Sequence, residues 1–326
     1  MQIFSDVRQF QLPQDTAAAI GKFDGVHRGH RSLLKEVLEE KKSGLCAAVF
    51  TFDPAPEAYF KKAPVPQLTT REEKRKILED LGVDYLVEYP FDKATAAMPP
   101  EDFVREILVH RMRAKVIVAG PDLSFGDRGA GNFALLNAMK DAYGYETRLV
   151  QKDRFGDQDI SSTLIRSYIE AGRMVDAAAC LGTPYFFSGV VSHGNAKGRT
   201  IGFPTLNLYP PREKILPPFG VYYSLVTVFR KDGTQRTYQG MTDVGKKPTV
   251  REKTKKVAVE TFVYDFAGDL YGEEIRVELL TFERPEMKFA DFQKLQLRIQ
   301  ADVAAGREFF RRRREQDQEH TAERTD

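Results

Sequence analysis

Residues Gly189 to Asn207, reading GVVSHGNAKGRTIGFPTLN, concentrate groups that handle phosphate. Gly189, Gly194, Gly198 and Gly202 let the backbone approach a ligand and adopt positive φ. Lys197 and Arg199 supply positive charge, and Thr205 with Asn207 presents neutral oxygens suited to a hard cation such as Mg²⁺. The order G-x-x-x-x-G-K-[ST] is absent, so the stretch is not a P-loop. On composition alone a glycine-rich hairpin turn fits as well.

A second cluster, Gly21-Lys22-Phe23-Asp24-Gly25-Val26-His27-Arg28-Gly29-His30, follows the apolar run Ala17–Ile20 and precedes a helical pattern over Ser32–Glu40. Spaced three apart at a strand-to-helix junction, His27 and His30 can both face a helix N-terminus, where free N–H groups and the macrodipole favour anions. Two such donors stabilise charge on a phosphorus centre without removing a proton, which is electrostatic rather than base catalysis. A metal would need further ligands, and none is adjacent. Asp24 suits orienting a loop or cation better than acting as a nucleophile.

Other polar groups recur where strands should end. Gly120-Pro121-Asp122-Leu123-Ser124-Phe125-Gly126 precedes Gly129-Ala130-Gly131-Asn132, and Ser161-Ser162-Thr163-Leu164-Ile165-Arg166 opens a helix with hydroxyls and an arginine one turn in, a cap and equally a phosphate clamp. In VAVETFVYD, alternation puts Glu260 on the face opposite Val259 and Thr261. It is a candidate base if that face meets the glycine-rich loop, and otherwise faces solvent. Arg284 and Glu286 read as a surface ion pair.

The elements that must position these groups fall into two patterns. Up to about residue 152, β-rich runs (16–21, 45–52, 84–89, 115–119, 147–151) alternate with helical segments near 31–42, 71–81, 100–112 and 131–143, which predicts a parallel sheet covered by helices. The ligand crevice of such a sheet lies outside the carboxyl ends of its strands, where Gly21–His30 would sit. Helices over 162–171 and 174–181 then lead to β-rich runs at 222–229, 236–240, 257–265 and 274–280, separated by Lys-Asp-Gly, Gly-Lys-Lys-Pro and Ala-Gly-Asp turns. This half predicts an antiparallel barrel closed by a helix over 289–313, with Phe292, Leu295, Leu297, Ile299, Val303 and Phe309 facing it.

The 326 residues suffice for two domains, and a net charge of +2 gives no bulk attraction to nucleic acid or an acidic membrane. Cys46 and Cys180 lie in apolar surroundings without C-x-x-C spacing and read as buried thiols of a reduced compartment. No stretch reaches membrane-span length, and MQIFSDVRQF lacks a basic segment followed by an apolar one, so the expected location is the cytoplasm. The tail from Arg311 to Asp326 reads as a fraying helix end.

With GKFDGVHRGH, AGPDLSFG, ISSTLIR, GRTIGFPTLN, PPFGVYY and the Glu260 strand before DLYG all in order, the chain resembles the bacterial bifunctional riboflavin kinase/FMN adenylyltransferases, or FAD synthetases, over about residues 10–310. The resemblance implies an α/β plus β chain: a Rossmann-like nucleotidyltransferase domain (1–183), a six-stranded antiparallel riboflavin-kinase barrel with a C-terminal helix (184–315), and a polar tail (316–326). It implies phosphorylation of riboflavin by ATP with Glu260 as the base, Mg²⁺ on Thr205 and Asn207, and ATP under Gly194, Lys197, Gly198, Arg199, Gly202 and Pro204. FMN is then adenylylated by His27, His30 and Arg166, with ATP on Gly21, Phe23, Asp24, Gly25, Gly29, Ser162 and Thr163 and flavin near Asp122 and Phe125. The attacking alcohol of the first step needs a base; the FMN phosphate, with its second pKa at about 6, does not. Riboflavin, FMN, FAD and ATP are the implied partners, with no nucleic acid or membrane, and the chain is expected as a monomer or weak homo-oligomer.

The chain departs from the family pattern in three places. Phe52-Asp53-Pro54-Ala55-Pro56 stands for Phe-x-Pro-His-Pro, Leu123 replaces a usual Phe, and Thr242-Asp243-Val244-Gly245 replaces Ala-Asn-Ile-Gly. Ala55 motivates an alternative, a riboflavin kinase with a weakened or inactive adenylyltransferase domain. A further alternative is a non-catalytic flavin-binding regulatory protein.

Overall fold

The computed structural model describes residues 1–63, 65–194, 202–248 and 255–322. The chain groups into two compact units. The first comprises Met1–Ile165, Cys180–Gly182 and Glu213–Ile215, and the second Arg166–Ala179, Thr183–Arg212 and Leu216–Asp326.

The first unit is a six-stranded parallel sheet in the order β1-β4-β3-β2-β5-β6. Its strands are β1 Gln2–Ser5, β2 Thr16–Ile20, β3 Cys46–Asp53, β4 Tyr85–Pro90, β5 Ala114–Ala119 and β6 Glu146–Leu149. The helices are α1 Arg28–Glu39, α2 Pro56–Lys61, α3 Arg71–Asp80, α4 Lys93–Ala96, α5 Pro100–Asp102 widening to a π-helix over Phe103–Arg111, and α6 Phe133–Tyr143. Both sheet faces are covered. Ala18, Ile20, Ala48, Phe50 and Ile117 belong to one core, and Ala17, Ala19, Ala47, Val49 and Val118 to the other, as alternation along doubly buried strands requires. Strand order reverses at β2, between β3 and β5, so the crevice opens at the carboxyl end of β2. The short edge strand β1 carries no marked apolar pattern and escapes the sequence reading. A hairpin, β7 Arg154–Phe155 and β8 Gln158–Asp159, precedes α7 Ser162–Glu170 and α8 Met174–Leu181.

In the second unit, β9 Tyr185–Val190, β10 Thr205–Leu208, β11 Gly220–Phe229, β12 Gln235–Pro248, β13 Lys255–Val263 and β14 Glu274–Pro285 form an antiparallel sheet ordered β10-β13-β12-β11-β14-β9. Its two ends meet where Ser192 bridges Asn207, with the Ser192 N–H donating to the Asn207 carbonyl at 2.9 Å, which closes the barrel. The interior holds a hydroxyl ladder, Ser224–Thr242 at 2.8 Å and Thr242–Thr261 at 2.9 Å, that satisfies three fully buried polar side chains. Helix α9 runs over Phe292–Ala322.

Several expectations change. Gly245-Lys246-Lys247-Pro248 is not a turn: it lies inside β12, with Gly245 opposite Ala258 and Lys246 opposite Val257. On α9, Phe292 and Leu297 are exposed, while the buried stripe runs through Asp302, Gly306 and Phe310. Tyr223, Tyr264, Leu280 and Phe310 make that core, so the packed face includes a glycine and a carboxylate that an apolar tally overlooks. Asp302 is 1% exposed and paired with Arg284 at 2.5 Å and Arg298 at 2.8 Å, so Arg284 belongs to a buried cluster and not to a surface pair. Cys180 is buried, but Cys46 is only half-buried, its thiol donating to Gln14 Oε1 at 2.8 Å.

Candidate active sites

In the first unit, the turn after β2 is a strained structure held by its neighbours. Phe23 and Val26 adopt φ of 51° and 40°, unusual for bulky and β-branched residues, beside Gly25 at 80°. Such conformations cost on the order of 1–3 kcal/mol each and persist only where surrounding contacts over-determine them. Here Asp24 Oδ1 accepts the Leu68 and Thr69 N–H groups at 2.8 and 3.2 Å, the Gly25 N–H donates to Thr69 Oγ1 at 3.1 Å, and the Ser162 hydroxyl donates to the Asp24 carbonyl at 3.1 Å. Asp24 thus orients a loop. Gly25 is obligatory, since a Cβ there would approach Leu68 to 2.8 Å.

The turn delivers His27 as the N-cap of α1 and His30 one turn in. Their rings stack at 3.7 Å and 26°, and His30 rests against Phe23 at 5.0 Å. Both Nδ1 atoms are buried without a hydrogen-bond partner. Burial pushes His27 down to about 4, against the pull of Asp122 and Asp153, and holds His30 well below its usual value, with His27 and Lys74 adding repulsion. The pair is neutral at pH 7, offering ring nitrogens at a helix N-terminus and no net charge of its own.

Gly21 and Gly29 flank this pair. A Cβ at Gly21 would meet the Phe23 ring at 3.2 Å, and one at Gly29 the His27 ring at 3.4 Å. Ser161 caps α7 by accepting the Leu164 N–H at 3.2 Å, which leaves Thr163 exposed and Arg166 one turn beyond Ser162. Asp122 is exposed and paired with Lys152 at 3.2 Å. Phe125 does not present its ring: it is 3% exposed, packs against Phe103, and leaves room for no side chain at Gly131. Its backbone closes the 125–131 loop through paired hydrogen bonds to Gly131 at 3.0 and 2.8 Å. Sequence reasoning also passed over Lys74. It lies one turn into α3 within the field of Asp24, Asp53 and Glu88, and burial lowers its pKa. Within the charge run REEKRK nothing marks it out.

In the second unit, strand register does the positioning. Asn207 on β10 lies opposite Glu260 on β13, which lies opposite Asp243 on β12. Directly opposed residues share a face with Cβ atoms about 4.5–5.5 Å apart, so an amide and two carboxylates form one row. Val259 and Thr261 are fully buried while Glu260 is half-buried, as alternation required. Thr205, two residues before Asn207, falls on the same face, opposite Phe262, and Phe203 packs edge-on against Phe262 at 5.2 Å. Asn207 is 3% exposed, its Nδ2 donates to the Thr205 carbonyl at 3.3 Å, and its buried Oδ1 accepts nothing. A Cβ on Gly194 would fall 2.5 Å from that amide, so only glycine allows the loop to pass there.

An orphaned, buried neutral oxygen under a glycine is what a hard cation would use, so these residues fit Mg²⁺. Among the described residues no group of three or more His, Cys, Asp or Glu could hold a metal, so such a cation would lean on nucleotide phosphates. Gly202 and Pro204 are exposed, whereas Lys197, Gly198 and Arg199 lie outside the described residues.

Residues 9–164 match the FAD synthetase family and residues 181–310 the riboflavin kinase family. The bifunctional riboflavin kinase/FMN adenylyltransferase of Escherichia coli K12 is 38% identical over 304 residues, covering 92% of this chain and 95% of that protein. The one from Bacillus subtilis is 34% identical over 298 residues, covering 90% and 92%. A crystal structure described as a macrolide-efflux protein from Streptococcus pneumoniae superposes with a TM-score of 0.80 at 30% identity, covering 94% of this chain and 98% of that one. Among the described residues of this chain, no helix is long and apolar enough to cross a membrane. Two family matches in tandem, with relatives alike along nearly the whole length, show that the chain belongs to the bifunctional riboflavin kinase/FMN adenylyltransferases.

Proposed function

We propose that the two transfers of this bifunctional enzyme are carried by the two sites described above, each using ATP. The row Asn207–Glu260–Asp243 carries the proposal for the kinase step. Glu260 accepts the proton of the riboflavin 5′-hydroxyl as that oxygen attacks the γ-phosphate, because an alcohol is a weak nucleophile until its proton has a destination. Asn207 Oδ1 and the Thr205 hydroxyl hold the cation, which when bound neutralises phosphate charge. Gly194, Gly202 and Pro204 are assigned to nucleotide binding, as are Lys197, Gly198 and Arg199, which lie outside the described residues.

For adenylylation, the FMN phosphate attacks the α-phosphate of ATP and pyrophosphate leaves. His27 and His30 donate to the phosphate oxygens, and the ionised nucleophile asks for no base. The Ser162 and Thr163 N–H groups at the start of α7, the Thr163 hydroxyl and the Arg166 guanidinium extend the donor set, the Ser162 hydroxyl being committed to the Asp24 carbonyl. Asp24 and Gly25 fix the turn, while Asp122 and the backbone around Phe125 lie toward the flavin.

Purified chain given riboflavin, ATP and Mg²⁺, and separately FMN, ATP and Mg²⁺, should yield FMN and FAD respectively on chromatography. Failure of the second reaction alone would leave a riboflavin kinase with an idle first unit, the alternative that Ala55 motivates.

A further inference from the structure

Three residues from far along the sequence, Glu213–Ile215, belong to the first unit. They form a parallel bridge to Gln67, with the Gln67 N–H donating to the Glu213 carbonyl at 2.6 Å and the Ile215 N–H to the Gln67 carbonyl at 2.9 Å. Between them Lys214 is 2% exposed and paired with Glu73, itself 5% exposed. Its Nζ donates to the Leu68 carbonyl at 2.8 Å and to Glu73 Oε2 at 2.5 Å. Glu73 is itself the reciprocal member of a capping box, accepting the Thr70 N–H at 2.8 Å while its own N–H donates to Thr70 Oγ1 at 3.1 Å.

Segment 67–70 therefore has one side fixed by Lys214. Its other side holds the strained turn. The Leu68 and Thr69 N–H groups hold Asp24, Thr69 Oγ1 holds Gly25, and the Leu68 side chain fills the space beneath Gly25. A surface connection would not bury a lysine for stability alone, because a buried ion pair is a weak source of net stabilisation. What it supplies is a fixed position for the peptide groups that keep Phe23 and Val26 at positive φ.

We propose that Lys214 is a positioning residue for adenylylation, holding the Leu68–Thr70 segment so that the Asp24–His27 turn presents the stacked histidines to the triphosphate. This rests on the assignment of Gly21–His30 to the adenylyltransferase site. Lys214 touches no substrate. It acts through two successive hydrogen-bonded layers, from a stretch only seven residues beyond Asn207 of the kinase row.

The test uses the full chain. Lys214→Met removes the cation and leaves Glu73 buried without its partner, and Lys214→Met with Glu73→Gln removes the whole pair and spares the fold a lone charge. Steady-state kinetics are measured for both steps, with thermal unfolding of each variant. Both variants should lose about tenfold to a hundredfold in kcat for adenylylation, the cost of slight misplacement, at unchanged KM for FMN. Riboflavin phosphorylation should stay within about twofold of the parent, as expected for an independent site.

The double variant should regain the unfolding temperature lost in the single one without regaining adenylylation, and it decides the matter if the single variant does not fold. Recovery of both properties together, a parallel loss of both activities, or unchanged adenylylation in the double variant would each overturn the proposal. His30→Ala runs alongside. If it adenylylates normally, the assignment of the site has failed; if it is impaired while the lysine variants are not, only the role of Lys214 has.

Discussion

On the proposed assignments, the two sites handle phosphate charge with opposite materials. At the carboxyl end of β2 the machinery is a neutral histidine stack on a strained turn, where hydrogen-bonded layers hold a conformation the backbone would not choose. On the barrel it is a row of anionic and amide side chains on relaxed β-strands, where register alone sets the spacing. The difference follows from the nucleophile. An ionised phosphate must have its repulsion from ATP relieved, which calls for donors and not for a base. An alcohol must lose a proton, so a carboxylate is kept close. The backbone differs too: the first site holds positive φ at Phe23 and Val26, whereas the second sets its side chains on regular strands, with Asp243 directly opposite Glu260.

Removing the carboxylate tests this contrast most severely. Glu260→Gln keeps size and hydrogen bonding but cannot take a proton, and should lower kcat for riboflavin phosphorylation about 10²–10⁴-fold while FAD formation from supplied FMN is retained. Full phosphorylation by this variant would mean that another group is the base. The reciprocal change, His30→Ala, should lower FAD formation about 10²–10³-fold and leave phosphorylation intact. Its pH profile should show only the ionisation of the FMN phosphate at about 6 and no further essential base, since none is assigned there. A double dissociation would establish that the sites are chemically separate; a shared loss would collapse the comparison.

Acid should act on the first unit through its histidines. His27 titrates near 6.5 when unfolded and at about 4 when folded, because burial disfavours its charged form. Above 6.5 both states are neutral and nothing changes. Below it the unfolded chain takes up a proton that the folded one refuses, so stability falls until about pH 4, by about 3 kcal/mol for this residue. His30 contributes in the same direction. Denaturant titrations of the parent and of His27→Gln between pH 7 and 4 isolate the effect, since carboxylates other than Asp122 and Asp153, which face His27, contribute equally to both proteins. Parallel curves would show that the His27 ring is hydrated.

Much of this was legible in residue order. The alternation of Ala17 to Ile20 with a helical run places the histidines at a strand end, and Glu260 does lie between the buried Val259 and Thr261, although Ala258 and Tyr264 are buried as well. What stayed hidden depends on contacts distant in sequence. Asn207 faces Glu260 only because β10 and β13 pair across fifty-odd positions, and no local pattern states a register. Strain at Phe23 and Val26 cannot be read from residues that ordinarily avoid positive φ. Lys74 and Lys214 look like surface charges because sequence carries no sign of desolvation. On α9, Val303 and Phe309 pack on the core as expected, whereas Phe292 and Leu297 are exposed, and the face also holds Gly306, which admits the Tyr223 and Tyr264 rings, and Asp302, neutralised by arginines.

The smallest expected effect concerns Ala55, and it sharpens the contrast from within the first site. Ala55 is the N-cap of α2, half-buried and without a side-chain cap, immediately beyond the carboxyl end of β3. That end is well held: Asp53 pairs with Arg71 at 3.1 Å, and Arg71 pairs in turn with the buried Glu88 at 2.8 Å. Lys22, in the glycine-rich turn, reaches Glu57 in the first turn of α2 at 3.7 Å, so α2 begins beside the nucleotide turn. A side chain added at position 55 would project from a fixed backbone at the crevice edge. If the site works by collecting donors, Ala55→His adds one more, and a single hydrogen bond of about 0.5–1.5 kcal/mol corresponds to roughly a two- to tenfold lower KM for ATP in adenylylation. Phosphorylation should not respond. An unchanged KM would mean that Ala55 takes no part in nucleotide binding, and that the donors on α1 and α7 already suffice.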